Sequence, residues 1–314
     1  MMGKKVAIPV FLSQEGKDYL NKRGMEVVEL PDMKAETIAH QAADVDGIVE
    51  MVDPFPHEMA DKLPNLKIIA RHGVGYDNLD QDYFGKRGIW VTITPNANAS
   101  TVAETTLAAV FDLSKNYTQN INLLKNNDWA GAVARKGVDL AGKTLGIMGF
   151  GRIGRMVAKK ASALDMKIIS YTPHPDESAN VEFVSRDELI TESDFISLHM
   201  PVTPADKYGF GQREFAMMKK SAYLINFGRA ALVDEDAERT ALNSGQIAGA
   251  AVDVYDQEPL PTDDPWRTTK NVLLTPHIAS NTKECMARMA VDAASECVRV
   301  LDGKKPLWPV NSLR

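Results

Sequence analysis

Gly149-Phe150-Gly151-Arg152-Ile153-Gly154 reads G-x-G-x-x-G, and its surroundings say what such a pattern is for. The run TLGIM leads straight into it, a helical pattern beginning near Arg152 leaves it, and a second strand-like run, MKIISY, closes a unit of about 30 residues. Each glycine has a separate task. Gly149 permits a tight turn, Gly151 lets a pyrophosphate approach the backbone, and Gly154 lets helix and strand pack closely. The helix N-terminus then offers free N–H groups and a positive dipole end to the phosphates. A competing pattern lies just upstream, where Gly137-Val138-Asp139-Leu140-Ala141-Gly142-Lys143-Thr144 satisfies G-x-x-x-x-G-K-[ST]. A phosphate loop of that kind follows a strand and opens a helix, whereas Lys143-Thr144 leads into a strand, so the segment reads as a surface turn. No H-e-x-x-H type zinc spacing and no G-x-S-x-G elbow occurs in the sequence.

The elements that must carry these residues alternate along the chain. KVAIPV, EVVEL, DGIVEM, LKIIAR and GIWVTI are short β-rich runs separated by polar or helical stretches, the pattern of an α/β fold with a parallel sheet. A helical segment, with Ser100 or Thr101 as its cap, follows through VAETTLAAVFDLSKNYTQNINLLKN, and is expected to be one long helix bridging two domains. The alternation restarts with KTLGIMGF, RIGRMVAKKASAL, MKIISY, RDELITESD, FISLHM, AYLINF, IAGAAVDVY and NVLLTP. A closing helix is expected over about 283–301, returning to the first domain. It carries both cysteines, Cys285 and Cys297, which at about 1.5 Å per residue stand roughly 18 Å apart, beyond the roughly 7 Å reach of a disulfide. Reduced thiols suit a cytoplasmic protein.

The 314 residues fit about two domains, and 44% hydrophobic with 25% charged residues is an ordinary globular composition. The net charge of −6, with basic pairs scattered at 4–5, 159–160, 219–220 and 304–305, gives no footprint for nucleic acid. No stretch reaches the roughly 18 apolar residues of a membrane span, and the opening VAIPVFL reads as a first strand, not a signal peptide.

Four segments, RHGVGYDNLD (71–80), GKTLGIMGFGRIG (142–154), NFGRAALVDEDA (226–237) and AAVDVYDQEPLP…LLTPHIAS (250–280), resemble the D-isomer-specific 2-hydroxyacid dehydrogenase family, in its order and over nearly the whole chain. Oxidising a 2-hydroxy acid requires removal of a hydroxyl proton while a hydride leaves C2, and a histidine titrating near neutrality suits that task. Of six histidines, His277 in LLTPH matches the family's catalytic one. Glu258 matches the carboxylate that orients it and favours its proton-loaded form; the related formate dehydrogenases place a glutamine there, which argues against formate oxidation. Arg229 matches the arginine that grips the substrate carboxylate and polarises its C2 oxygen through a rigid guanidinium fork, although Gly228-Arg229-Ala230 stands where the family commonly has Ala-Arg-Gly.

The resemblance also implies that the loop His72-Gly73-Val74-Gly75 binds the substrate, with the Val74 and Gly75 amides on its carboxylate and His72 either adding charge or serving structurally. Gly149, Gly151, Arg152, Ile153 and Gly154 are the expected phosphate-binding residues, Asp253 resembles the residue contacting the nicotinamide carboxamide, and His199 and Pro201 the loop along the adenine. The redox chemistry belongs to the nicotinamide, and no metal is expected.

The implied fold is α/β with two doubly wound parallel-sheet domains: a flavodoxin-like substrate domain of 1–99 and 285–314, and a Rossmann dinucleotide-binding domain of 100–284, with the site in the cleft between. The implied activity is hydride transfer between NAD(P) and a small 2-oxo or D-2-hydroxy acid, with glyoxylate, hydroxypyruvate and 3-phosphoglycerate as candidates. The chain is expected to lack the regulatory domain of some phosphoglycerate dehydrogenases, and the resemblance implies a homodimer built on the segment 100–125. Some relatives are instead dinucleotide-sensing co-repressors. For the cofactor, an NAD-specific unit needs an acid near the end of its second strand, but Thr172 stands there, 23 residues after Gly149. With His174 nearby, the barrier to a 2′-phosphate is gone and NADP(H) is slightly favoured, unless Asp176 or Glu177 discourages it.

Overall fold

In the computed structural model, which describes residues 3–176, 178–203 and 207–313, the chain forms two compact units, Met1–Asn98 with Asn281–Arg314 and Ala99–Ser280. The first is a five-stranded parallel sheet of β1 (Lys5–Pro9), β2 (Glu26–Leu30), β3 (Gly47–Glu50), β4 (Ile68–Arg71) and β5 (Trp90–Thr92), in the order β2-β1-β3-β4-β5. That is the flavodoxin-like winding. The two-residue period of a strand gives each face its own core. Ala7, Ile48, Ile69 and Val91 enter one with Phe55 and Phe84. Val6, Ile8, Val49, Ile68 and Ala70 enter the other, where they meet Ala290, Ala293, Ala294 and Cys297 of the helix Lys283–Leu301. This closing helix packs beside the helix Gln14–Lys22 closely enough that a Cβ on Gly16 would lie 2.8 Å from that of Ala290.

The second unit carries seven parallel strands: β6 (Thr144–Met148), β7 (Lys167–Tyr171), β8 (Glu182–Phe183), β9 (Phe195–Leu198), β10 (Tyr223–Asn226), β11 (Gly249–Val252) and β12 (Val272–Leu274). Their order, β12-β11-β10-β9-β6-β7-β8, is the Rossmann winding with one added strand. The winding reverses between β6 and β9, and the crevice beyond such a reversal is where open α/β sheets bind ligands.

The helical segment after residue 99 departs from the single helix expected. It forms Ala99–Lys115 and Tyr117–Lys125, separated by Asn116 at φ 55°. Asparagine tolerates this left-handed conformation, and Asp112 Oδ1 accepts from the Thr118 amide (2.9 Å) and hydroxyl (2.7 Å), which secures the second helix at its start.

One buried group in the second unit is placed against its own chemistry. Glu238, on the helix Glu235–Ser244, is 1% exposed, and its Oε1 meets no hydrogen-bond partner among the described residues. Burial, aided by the charge of Glu235 and only partly opposed by Arg239, pushes its carboxyl from the ordinary 4.5 up to about 8. Between those values the folded chain holds a proton that the unfolded chain has lost, so stability falls as pH rises through the window. Each pH unit across it costs on the order of 1.4 kcal/mol. Glu238→Gln is therefore expected to melt above the wild type at pH 9, with the difference shrinking towards pH 5. Calorimetric melting at both pH values checks this, and a difference independent of pH contradicts it.

Candidate active site

At the winding reversal of the second unit, β6 ends in the glycine turn. Gly149 has φ 93°, a Cβ there would lie 2.6 Å from the His199 carbonyl oxygen, and its amide donates to Tyr171 O at 2.9 Å. A Cβ on Gly154 would lie 2.2 Å from Gly149 O, so only hydrogen lets the helix Arg152–Ser162 sit this close to the turn. Around Gly151, in contrast, a Cβ would meet nothing within 4 Å. The space beside it is the kind of cradle a phosphate needs above first-turn N–H groups, which have no carbonyl one turn back to bond. These residues fit the pyrophosphate of a dinucleotide.

Two further segments border the turn. His199 follows β9, with its amide on Met148 O (2.7 Å) and its Nε2 2.9 Å from Ser197 Oγ. Burial pushes its imidazole down to about 4, so it is neutral at physiological pH. Pro201 is exposed two residues on. Beyond β7, Thr172 is half-buried and His174 exposed. Asp176 is half-buried and paired with Arg155 of the Arg152–Ser162 helix, Nη1 to Oδ2 at 2.5 Å; Glu177 lies outside the described residues.

Arg229, Glu258 and His277 follow β10, β11 and β12, three adjacent strands, and so share one edge of the sheet. Arg229 opens a short 3-10 turn, and Asn226, 2% exposed, braces it: its Nδ2 donates to Arg229 O (2.9 Å) while its Oδ1 accepts from the Gly228 amide (3.2 Å). His277 Nδ1 lies 2.7 Å from Glu258 Oε2, and Glu258 Oε1 accepts from the Tyr255 amide at 3.0 Å. Burial would raise the Glu258 carboxyl, but the bonds from His277 and Tyr255, with the charge of Arg229, hold it below the ordinary carboxylate value.

His277 itself sits at φ 54°, a left-handed conformation uncommon for residues other than glycine, and here its surroundings hold it there. The imposing group is Asp253, which sequence reasoning assigned only to the cofactor. Fully buried, its Oδ1 accepts from Thr275 Oγ1 (2.6 Å) and the Ile278 amide (2.8 Å), and its Oδ2 from the Ala279 amide (2.8 Å). The carboxylate clamps the turn on both sides of the histidine. A lone aspartate ending a strand carries no signal of that role.

In the first unit, the loop after β4 holds Gly73 at φ 145°, and among the described residues no acceptor meets the amides of Val74 or Gly75. Arg71 Nε donates to Gly75 O at 2.7 Å. The buried Glu50, raised to about 7 chiefly by burial, lies 3.3 Å from the same Nε and accepts from Asn78 Nδ2 at 3.0 Å. Of the two roles left open for His72, added charge or structure, the surroundings favour the structural one. The ring is 7% exposed, its Nε2 is 3.4 Å from Met286 O, and burial drives it down to about 4, so it packs as a neutral group. Among the described residues, no cluster of His, Cys, Asp or Glu is arranged to hold a metal ion, and no helix is long and apolar enough to cross a membrane.

Residues 107–279 match the family model of the D-isomer specific 2-hydroxyacid dehydrogenase NAD binding domain. The chain is 37% identical over 291 residues to a glyoxylate reductase of Korarchaeum cryptofilum, covering 90% of this chain and 87% of that one. It is also 37% identical over 306 residues to a D-3-phosphoglycerate dehydrogenase of Methanocaldococcus jannaschii, covering 96% of this chain and 58% of that longer protein. Its fold matches the crystal structure of a glyoxylate reductase from Paecilomyes thermophila with a TM-score of 0.87 at 29% identity, over 99% of both chains. With a glycine turn fitted to a dinucleotide and an arginine and a histidine–glutamate pair on one sheet edge, the chain belongs to the D-isomer-specific 2-hydroxyacid dehydrogenase family, oxidoreductases that pass a hydride between a nicotinamide cofactor and a small 2-hydroxy or 2-oxo acid.

Proposed function

We propose that the chain reduces a short 2-oxo acid, with glyoxylate and hydroxypyruvate the best substrates, to the corresponding 2-hydroxy acid. The observation that carries this reading is the 2.7 Å contact between His277 Nδ1 and Glu258 Oε2. With Nδ1–H donated to the carboxylate, Nε2 is the nitrogen left to exchange a proton with substrate. Arg229 receives the carboxylate and polarises the C2 oxygen. A bound nicotinamide supplies the hydride to C2. His277 delivers its proton to the C2 oxygen, which with the hydride at C2 turns C=O into CH–OH, while Glu258 keeps the imidazole oriented. The choice of glyoxylate follows relatives such as the 38% identical glyoxylate reductase of Thermococcus litoralis.

For the cofactor, Gly149, Gly151, Arg152, Ile153 and Gly154 would hold the pyrophosphate, His199 and Pro201 the adenine side, and Thr172 with His174 the adenosine ribose. Thr172 presents a hydroxyl where an NAD-specific site presents an acid, so NADPH is accepted at least as well as NADH. We further propose a homodimer: Tyr117, Ile121, Leu124, Trp129 and Val133 are exposed within one short helical stretch of the second unit. The two buried thiols of the closing helix accord with a cytoplasmic location.

Assays of glyoxylate, hydroxypyruvate, pyruvate and phosphohydroxypyruvate with both reduced cofactors test the proposal. The first two are expected to lead in kcat/KM, and turnover of none of the four contradicts it, leaving a dinucleotide-sensing binding protein. His277→Ala is expected to cut kcat by about 10²–10⁴-fold with cofactor affinity unchanged. A variant that keeps more than about a tenth of kcat removes His277 from the role of proton donor.

A further inference from the structure

The end of β7 holds an ion pair that the sequence pattern does not disclose. Arg155 lies in the first turns of the Arg152–Ser162 helix, with its guanidinium 4.8 Å from the centre of the Phe150 ring. Phe150 belongs to the glycine turn, and Gly149 N on Tyr171 O joins that turn to the strand end carrying Thr172. From there Arg155 reaches Asp176, four residues beyond Thr172, Nη1 to Oδ2 at 2.5 Å. Asp176 Oδ1 meanwhile accepts from the Ser178 hydroxyl (2.6 Å) and amide (3.0 Å). These bonds, with that from Arg155, hold its carboxyl down at about 2, so it stays charged at any working pH. The two side chains are 46% and 34% exposed, which makes the pair open to exchange with another anion.

The adenosine ribose of a dinucleotide lies against the end of the second strand, and a 2′-phosphate there is accommodated by a nearby arginine. Resting on the cofactor assignment above, we propose that Arg155 and Asp176 set the preference between NADPH and NADH: Arg155 is the cation for the 2′-phosphate, and Asp176 competes with that phosphate for it. A carboxylate and a phosphate monoester both accept the guanidinium's paired N–H donors. When NADPH binds, its 2′-phosphate must displace Asp176 from Arg155. When NADH binds, the pair stays closed and its charge is internally balanced. The threonine at 172 thus removes the usual acid, while Asp176 keeps a carboxylate nearby in neutralised form.

Calorimetric titration with 2′,5′-ADP and 5′-AMP isolates the adenosine half of the cofactor and reads the preference without turnover. Asp176→Asn is expected to raise the affinity ratio of 2′,5′-ADP to 5′-AMP by about tenfold, and Arg155→Gln to lower it by a similar factor. In the Arg155→Gln background most of the gain from Asp176→Asn should disappear, because the aspartate acts through the arginine. The NADPH to NADH ratio of kcat/KM should move in the same directions. The proposal is overturned if both single variants keep the wild-type ratio within about twofold, if they weaken both nucleotides in parallel, or if the gain survives in full without Arg155. If the wild type binds neither nucleotide, the cofactor assignment fails, and this proposal with it.

Discussion

A single buried carboxylate governs the geometry of the sheet edge that carries Arg229 and His277. Asp253 receives three hydrogen bonds from Thr275, Ile278 and Ala279, so the residues on both sides of His277 are fixed to β11. A left-handed backbone at a residue other than glycine costs about 1–3 kcal/mol and persists only where surrounding bonds outweigh it. Hydrogen bonds to a fully buried carboxylate are strong enough to do so. The same residue reaches towards the arginine, because the Asp253 amide donates to Asn226 O at 3.2 Å and the Asn226 side chain braces Gly228 and Arg229. One connected set of hydrogen bonds therefore positions both Arg229 and the histidine that faces Glu258.

The sheets supply the places for these groups. Parallel strands end together, so residues far apart in sequence (Arg229, Glu258 and His277) emerge side by side after β10, β11 and β12. The winding reversal between β6 and β9 opens the crevice for the glycine turn, and the close approach at Gly149 and Gly154 joins that turn to its flanking elements. The residues proposed for chemistry and for cofactor binding thus lie along one sheet edge in the second unit, and the loop at Gly73–Gly75 follows a strand of the first.

Much of this was legible in the residues. Buried parallel strands are short β-branched runs with both faces apolar, so KVAIP, TLGIM and YLIN declared themselves, and the glycine pattern could be placed because a strand preceded it. The histidine, glutamate and arginine proposed for catalysis stand in motifs that single them out as candidates, and the fold brings all three to one sheet edge. What stayed hidden depended on tertiary burial. Asn116 sits inside a helical periodicity, and only the backbone reveals that it breaks the helix. Glu50 and Glu238 look like solvated acids until the fold encloses them, and His72 looks like a charge until burial neutralises it. The Arg155–Asp176 pair joins residues 21 positions apart, across a strand, and no local pattern marks such a partnership.

The central claim is that Asp253 acts on the reaction through the turn carrying His277, and a double-mutant cycle in kcat measures it directly. The account predicts that Asp253→Ala lowers kcat by at least about tenfold in the wild-type background and has almost no further effect in a His277→Ala background, the non-additivity of residues that work as one unit. Equal losses in both backgrounds would contradict it, showing that Asp253 contributes independently of His277.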